Sequence, residues 1–100
     1  MDLEAALGEH VMAVASGQVT AVLSDVMYGT TVIIEHADGV ESIYSNLAAQ
    51  PTVYQGDSVR PGQVIGAVGN TAICESALGS HIHFSMRENG IGVNPEDYLP

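Results

Sequence analysis

Short strand-forming runs cut by glycine turns constrain this chain more than any other feature. Val19 to Leu23, Thr30 to His36, Val40 to Ser45, Val64 to Val68 and His81 to Arg87 are rich in β-branched residues or alternate apolar with polar. Val11 to Ala15 is a shorter apolar run ended by Ser16-Gly17. Asp38-Gly39 separates two of the runs and is the strongest short hairpin signal in the chain. Asn89-Gly90 turns the last long run back toward Ile91-Gly92-Val93. Val53, Gly56-Asp57, Val59 and Pro61-Gly62 read as two tight turns around short strands. The one helix candidate is a single turn from Ser45 to Ala49, stopped by Gln50-Pro51. Asp25, Asp57 and Asp97 are most simply turn residues, and Asn94-Pro95 with Tyr98-Leu99-Pro100 reads as a docked terminal segment. The pattern predicts an all-β domain, a sandwich or half-barrel of mostly antiparallel strands.

One hundred residues make one small domain, 1–100, which buries about 65% of its unfolded surface. Apolar residues are 46% of the chain and charged residues 14%, so it folds rather than staying disordered. The formal net charge is −10, with Arg60 and Arg87 as the only basic residues besides the histidines. That excludes nucleic acid as a partner, because no basic footprint exists, and it disfavours anionic membranes and anionic wall polymers. Cys74 is the single cysteine, so there is no intrachain disulfide, and it reads as a small, partly buried loop residue. No apolar run reaches the ~20 residues that span a bilayer. The opening Met1-Asp2-Leu3-Glu4 lacks the basic and apolar regions of a signal peptide. The expectation is an intracellular protein or a piece of a longer one.

His81-Ile82-His83 carries the chemistry. In a strand, residues two apart project to one face, roughly 6.5–7 Å from each other. One imidazole can then ligate a metal while the other contacts the metal's water or its substrate. His36, before the hairpin turn, and His10, at the start of a strand, are expected in structural or surface roles.

The segment Val53-Tyr54-Gln55-Gly56-Asp57-Ser58-Val59-Arg60-Pro61-Gly62-Gln63-Val64-Ile65-Gly66 is similar to lipoyl and biotinyl carrier domains. Those carriers hold their cofactor on a lysine, and this chain has none. The same turn pattern continues into Gly66-Ala67-Val68-Gly69-Asn70-Thr71-Ala72 and Gly79-Ser80-His81-Ile82-His83-Phe84. In that order it resembles the lysostaphin-type zinc endopeptidases, the LytM domain. Val11 to Val19 resembles the family's opening strands, and Tyr28 to Gly39 its central hairpin. Tyr44-Ser45-Asn46-Leu47 falls where the family reads Tyr-x-His-Leu, and Asn94 to Leu99 matches its close. The resemblance covers nearly the whole chain and implies the family's β-fold, a duplicated-hybrid-motif type.

The resemblance also implies a site. His83 would ligate zinc, and His81 would be the catalytic histidine that holds or deprotonates the attacking water. Asp2 matches the ligand aspartate. Its partner histidine would fall three residues before Met1, so the domain is expected to lack its N-terminal zinc-ligand segment. Asn46 stands at the family's second catalytic histidine. An amide donates a hydrogen bond but is no base near neutral pH, so hydrolysis is expected to be weak or absent. The implied function is a zinc metalloendopeptidase domain of a bacterial peptidoglycan hydrolase, extracytoplasmic, in a membrane-anchored or secreted longer protein. It would act on peptidoglycan peptide without touching the membrane itself. The alternative is a non-catalytic partner-docking module, as in the degenerate LytM domains of sporulation. A sugar-transport phosphocarrier with paired active histidines is a third reading, against which the order of the His81 and Asn94-Pro95 motifs speaks.

Overall fold

The computed structural model describes residues 2–4, 8–25, 27–69 and 81–95, and for residues 2–4, 25 and 81–83 the backbone alone. Among these residues nine strands follow one another: β1 Asp2–Glu4, β2 His10–Met12, β3 Gly17–Asp25, β4 Gly29–Glu35, β5 Val40–Leu47, β6 Ser58–Val59, β7 Val64–Ala67, β8 His81–Glu88 and β9 Ile91–Val93. All pairings are antiparallel. The large sheet runs β1-β8-β5-β4-β3-β6, with β9 also on β8, and β2 pairs with β7 in a second, two-stranded sheet. The all-β architecture read from the runs is the one found. Among the described residues there is no α-helix, and Ala37–Gly39 forms a single 3-10 turn. No helix there is long and apolar enough to cross a membrane.

Both glycine-ended hairpins have the backbone that their sequences demand. Asp38 (φ 62°) and Gly39 (φ 75°) are both left-handed, as are Asn89 (φ 52°) and Gly90 (φ 83°). Two successive positive-φ residues make the turn whose twist matches antiparallel strands, and Asn, Asp and Gly are the residues that tolerate it. The two tips meet, with the Asn89 N–H donating to the Gly39 carbonyl at 2.9 Å.

The core joins both sheets. Val32 and Ile34 on β4, Tyr44 on β5, and Phe84 and Met86 on β8 point inward at alternate positions. They pack with Val11 on β2 and Ile65 on β7. Tyr44 stands opposite both Val32 and Phe84, its ring 5.2 Å from that of Phe84. Gly17 opens β3 where the chain crosses Glu35, and a Cβ there would collide with the Glu35 carbonyl oxygen. Any side chain would force the strands apart.

Four expectations need correction. Asp25, expected in a turn, is the last residue of β3, paired with Gly29. The Ser45 to Ala49 stretch is not a helical turn: β5 runs through it to Leu47, and the Ala48 N–H bonds to Ala67 of β7. The Val11 to Ala15 run is a strand only as far as Met12, because the Val14 N–H is taken by the Tyr44 hydroxyl. Val53 is buried but lies in no strand. Asp57 is a turn residue as expected, its carboxylate accepting the Tyr54 N–H at 2.8 Å. Cys74, Asp97 and the Tyr98 to Pro100 segment lie outside the described residues.

Candidate functional site

β8 carries the His-x-His pair between β1 and β5 in the large sheet. Strand alternation gives positions 81 and 83 one face, opposite the core positions Phe84 and Met86. Across β8, position 83 stands opposite Asp2 on β1 and opposite Ser45 on β5. Asp2, His83 and Ser45 therefore form one row across three strands. Position 81 stands opposite Glu4, a juxtaposition that the sequence reading missed. The signal was present, since Asp2 and Glu4 have the same two-residue spacing as His81 and His83.

Asn46 follows Ser45 at a β-bulge. Thr30 pairs with Leu47 and Val32 with Tyr44, so Ser45 and Asn46 together oppose Thr31. Asn46 takes the left-handed conformation, φ 63°, which asparagine and histidine enter more readily than most side chains. Its backbone ties two neighbouring segments. The Asn46 N–H donates to the Tyr28 carbonyl, and its carbonyl accepts the Gly69 N–H, both at 2.9 Å. Gly69 comes so close that a Cβ there would lie 2.5 Å from the Ala48 nitrogen. The asparagine is 1% exposed.

A pair of buried hydroxyls underlies the row. Thr31 Oγ1 donates to the Gly29 carbonyl at 3.1 Å and lies 3.0 Å from Ser45 Oγ. With the threonine proton committed to Gly29, the serine is the donor between the two. Further along the same face Arg87 pairs with Glu41 at 3.2 Å.

The other two histidines lie elsewhere. His36 Nδ1 is 2.7 Å from the Ser16 carbonyl, and Nε2 is 2.8 Å from Ser42 Oγ. A carbonyl only accepts, so Nδ1 carries the proton. Ser42 Oγ is in turn 2.9 Å from the Tyr44 hydroxyl, which accepts the Val14 N–H. Burial pushes the Tyr44 hydroxyl above its ordinary pKa, and the Ser42 and Val14 hydrogen bonds offset part of that. His36 is thus a structural residue, as expected. His10 is exposed at the start of β2. Among residues with described side chains, no three His, Cys, Asp or Glu groups converge as a metal site.

An antiparallel all-β frame of this kind is the architecture of the LytM-type neighbours. The chain belongs to peptidase family M23, which its residues 1–95 match. It is 38% identical over 89 residues to stage II sporulation protein Q of Bacillus subtilis, covering 89% of this chain and 31% of that protein. It is 42% identical over 95 residues to the DD-carboxypeptidase/endopeptidase Mpg of Neisseria meningitidis, covering 95% of this chain and 21% of that one. The chain therefore spans about a third or less of these relatives. Among solved structures, the catalytic domain of the prophage-encoded M23 protein EnpA of Enterococcus faecalis superposes with a TM-score of 0.85. It is 31% identical, with 97% of this chain and 75% of that one covered. A SpoIIQ–SpoIIIAH pore-forming complex gives 0.75 at 38% identity, covering 85% of this chain and 52% of that one.

Proposed function

We propose that this domain works in the bacterial cell envelope, outside the cytoplasm, where it binds peptidoglycan peptide on the face bearing Asp2, His81 and His83 and hydrolyses it weakly. The observation that carries the reading is Asn46, buried in the bulge beside the Asp2–His83–Ser45 row where the family has its second catalytic histidine. The register suits zinc. Directly opposed strand positions have Cβ atoms about 4.5–5.5 Å apart, close enough for Asp2 and His83 to converge on one ion. Catalytic zinc takes three protein ligands and water, and the family pattern expects the third, a histidine, four positions before Asp2.

When bound, zinc supplies a Lewis acid and an acidified water. His81 would take the proton of the attacking water, with Glu4 at the register position to orient the ring. The Asn46 amide would offer a hydrogen bond to the developing oxyanion but neither take nor give a proton. Loss of that proton transfer costs about 10²–10⁴ in rate. Asn46→Gln, which keeps the amide, should leave the low rate low, and Asn46→His should raise it about a hundredfold.

The test uses the natural-length protein, purified without chelator, for zinc content, binding of a cross-linked wall peptide and its cleavage. About one zinc per chain, lost on His83→Ala, together with binding and slow cleavage supports the proposal. Absence of zinc, or binding untouched by His83→Ala, overturns it.

A second reading is favoured by the likeness to SpoIIQ, which is solved in complex with SpoIIIAH. In that reading the domain docks a protein partner and needs no metal. A partner complex that forms equally well with His81→Ala and His83→Ala, without wall-peptide binding, would select it.

A further inference from the structure

Among the described residues β3 is the longest strand, and β6 covers little of its outer edge. β4 pairs with β3 from Gln18 to Asp25, whereas β6 pairs only with Gly17 and Gln18. The Gly56 N–H and the Asp57 carbonyl then close the Val19 position. Beyond it, among the described residues, no strand lies on the outer side of Ala21 to Asp25. Such an edge presents alternate unpaired N–H and C=O groups, and proteins ordinarily block it with lysine, proline or other charge. From Gly17 to Ser24 this strand has no lysine, no proline and no charged residue. It does expose apolar surface: Leu23 is 40% exposed, and Met27 and Tyr28 in the adjoining turn are 51% and 44% exposed.

We infer that the Ala21–Asp25 edge of β3 receives an extended segment of a different protein, added to the large sheet as a further strand and carrying lysine or arginine at its ends. Backbone pairing would supply the affinity, and Leu23 would take an apolar side chain at every second position. Charge decides the kind of partner. Asp25 ends the open stretch on one side and Asp57 lies near its other end, with Arg60, three residues past Asp57, the only cation near in sequence to either. Pairing with a second copy would join two chains of net charge −10. Residues 70–80 of this chain carry no cation either. Leu23 stands opposite Thr31, on the face that carries the Ser45–His83–Asp2 row, so the added strand would widen that face. The inference does not depend on zinc or on hydrolysis.

The probe is a capped nonapeptide with two lysines at each end and alternating valine and threonine between them. Amide hydrogen exchange of the protein is followed with and without it. Exchange at Ala21 to Asp25 should slow at least tenfold on the alternate amides that face outward. The glutamate-ended version of the peptide should have no effect. Leu23→Lys and Ser24→Lys each place a cation on the edge and should abolish the protection, while Ile91→Lys, at an exposed site on β9, should not. The variants' far-ultraviolet spectra report whether each is folded. Three results overturn the inference: no protection at Ala21 to Asp25, equal protection by the glutamate-ended peptide, or outward amides already protected in the free protein at low concentration. Protection that grows with protein concentration would assign the edge to self-pairing instead.

Discussion

Tyr44→Phe isolates the polar strut between β5 and the segment that links β2 to β3. Phenylalanine keeps the ring, and with it the 5.2 Å contact to Phe84. It deletes one oxygen, which accepts the Val14 N–H at 3.1 Å and lies 2.9 Å from Ser42 Oγ. Ser42 keeps His36 as a partner, so the main loss falls on Val14. One net hydrogen bond contributes about 1 kcal/mol, and a half-buried N–H left without an acceptor adds about as much again. The expected loss is therefore about 2 kcal/mol, or a fall of about 10 °C in Tm for a chain of this length. Urea unfolding at pH 7 measures the first figure and calorimetry the second. The cost should also depend on pH. Tyr44 is held above its ordinary pKa in the folded state, so the unfolded chain loses that proton first as pH rises. The contribution is complete below about pH 10 and declines above it. The gap between wild type and Tyr44→Phe should accordingly shrink from pH 8 to pH 11. A variant within 0.5 kcal/mol of wild type at pH 7, or a gap that widens with pH, would refute the reasoning.

Gly69→Ala puts a methyl group 2.5 Å from the Ala48 nitrogen and 2.6 Å from the Leu47 carbonyl, and backbone cannot step aside as a side chain can. It should cost about 2–3 kcal/mol in urea unfolding and loosen the Gly69–Asn46 hydrogen bond, visible as faster exchange of the Gly69 amide. At Asn46 itself, φ 63° makes glycine cheaper than a β-branched residue. Asn46→Val should be less stable than Asn46→Gly by about 1–2 kcal/mol, and equal stabilities would mean that the bulge relaxes to an ordinary strand.

The strands were legible because their causes are local. The runs from Val19, Thr30, Val40, Val64 and His81 alternate or carry β-branched residues, and Asp38-Gly39 and Asn89-Gly90 dictate their own turns. The misreadings have tertiary causes. Nothing within Val11 to Ala15 announces that Val14 will give its N–H to a tyrosine thirty residues away. Nothing within Ser45 to Ala49 announces that Thr31 will force a bulge and Ala67 will capture the Ala48 N–H.

For the candidate site, the sequence alone determined that positions 81 and 83 share a face, because strand alternation needs no knowledge of neighbours. It also determined that Asn46 offers no acid or base, which is a property of the amide. Only the tertiary structure decided that Asp2 stands opposite His83 and Glu4 opposite His81, about eighty positions along the chain. It alone brought Ser45 into that row, paired Thr31 with Ser45, and joined Ser16, His36, Ser42 and Tyr44 into one chain of hydrogen bonds. Strand register sets those pairings, and register is fixed by how whole sheets bury their apolar faces rather than by the residues that happen to meet.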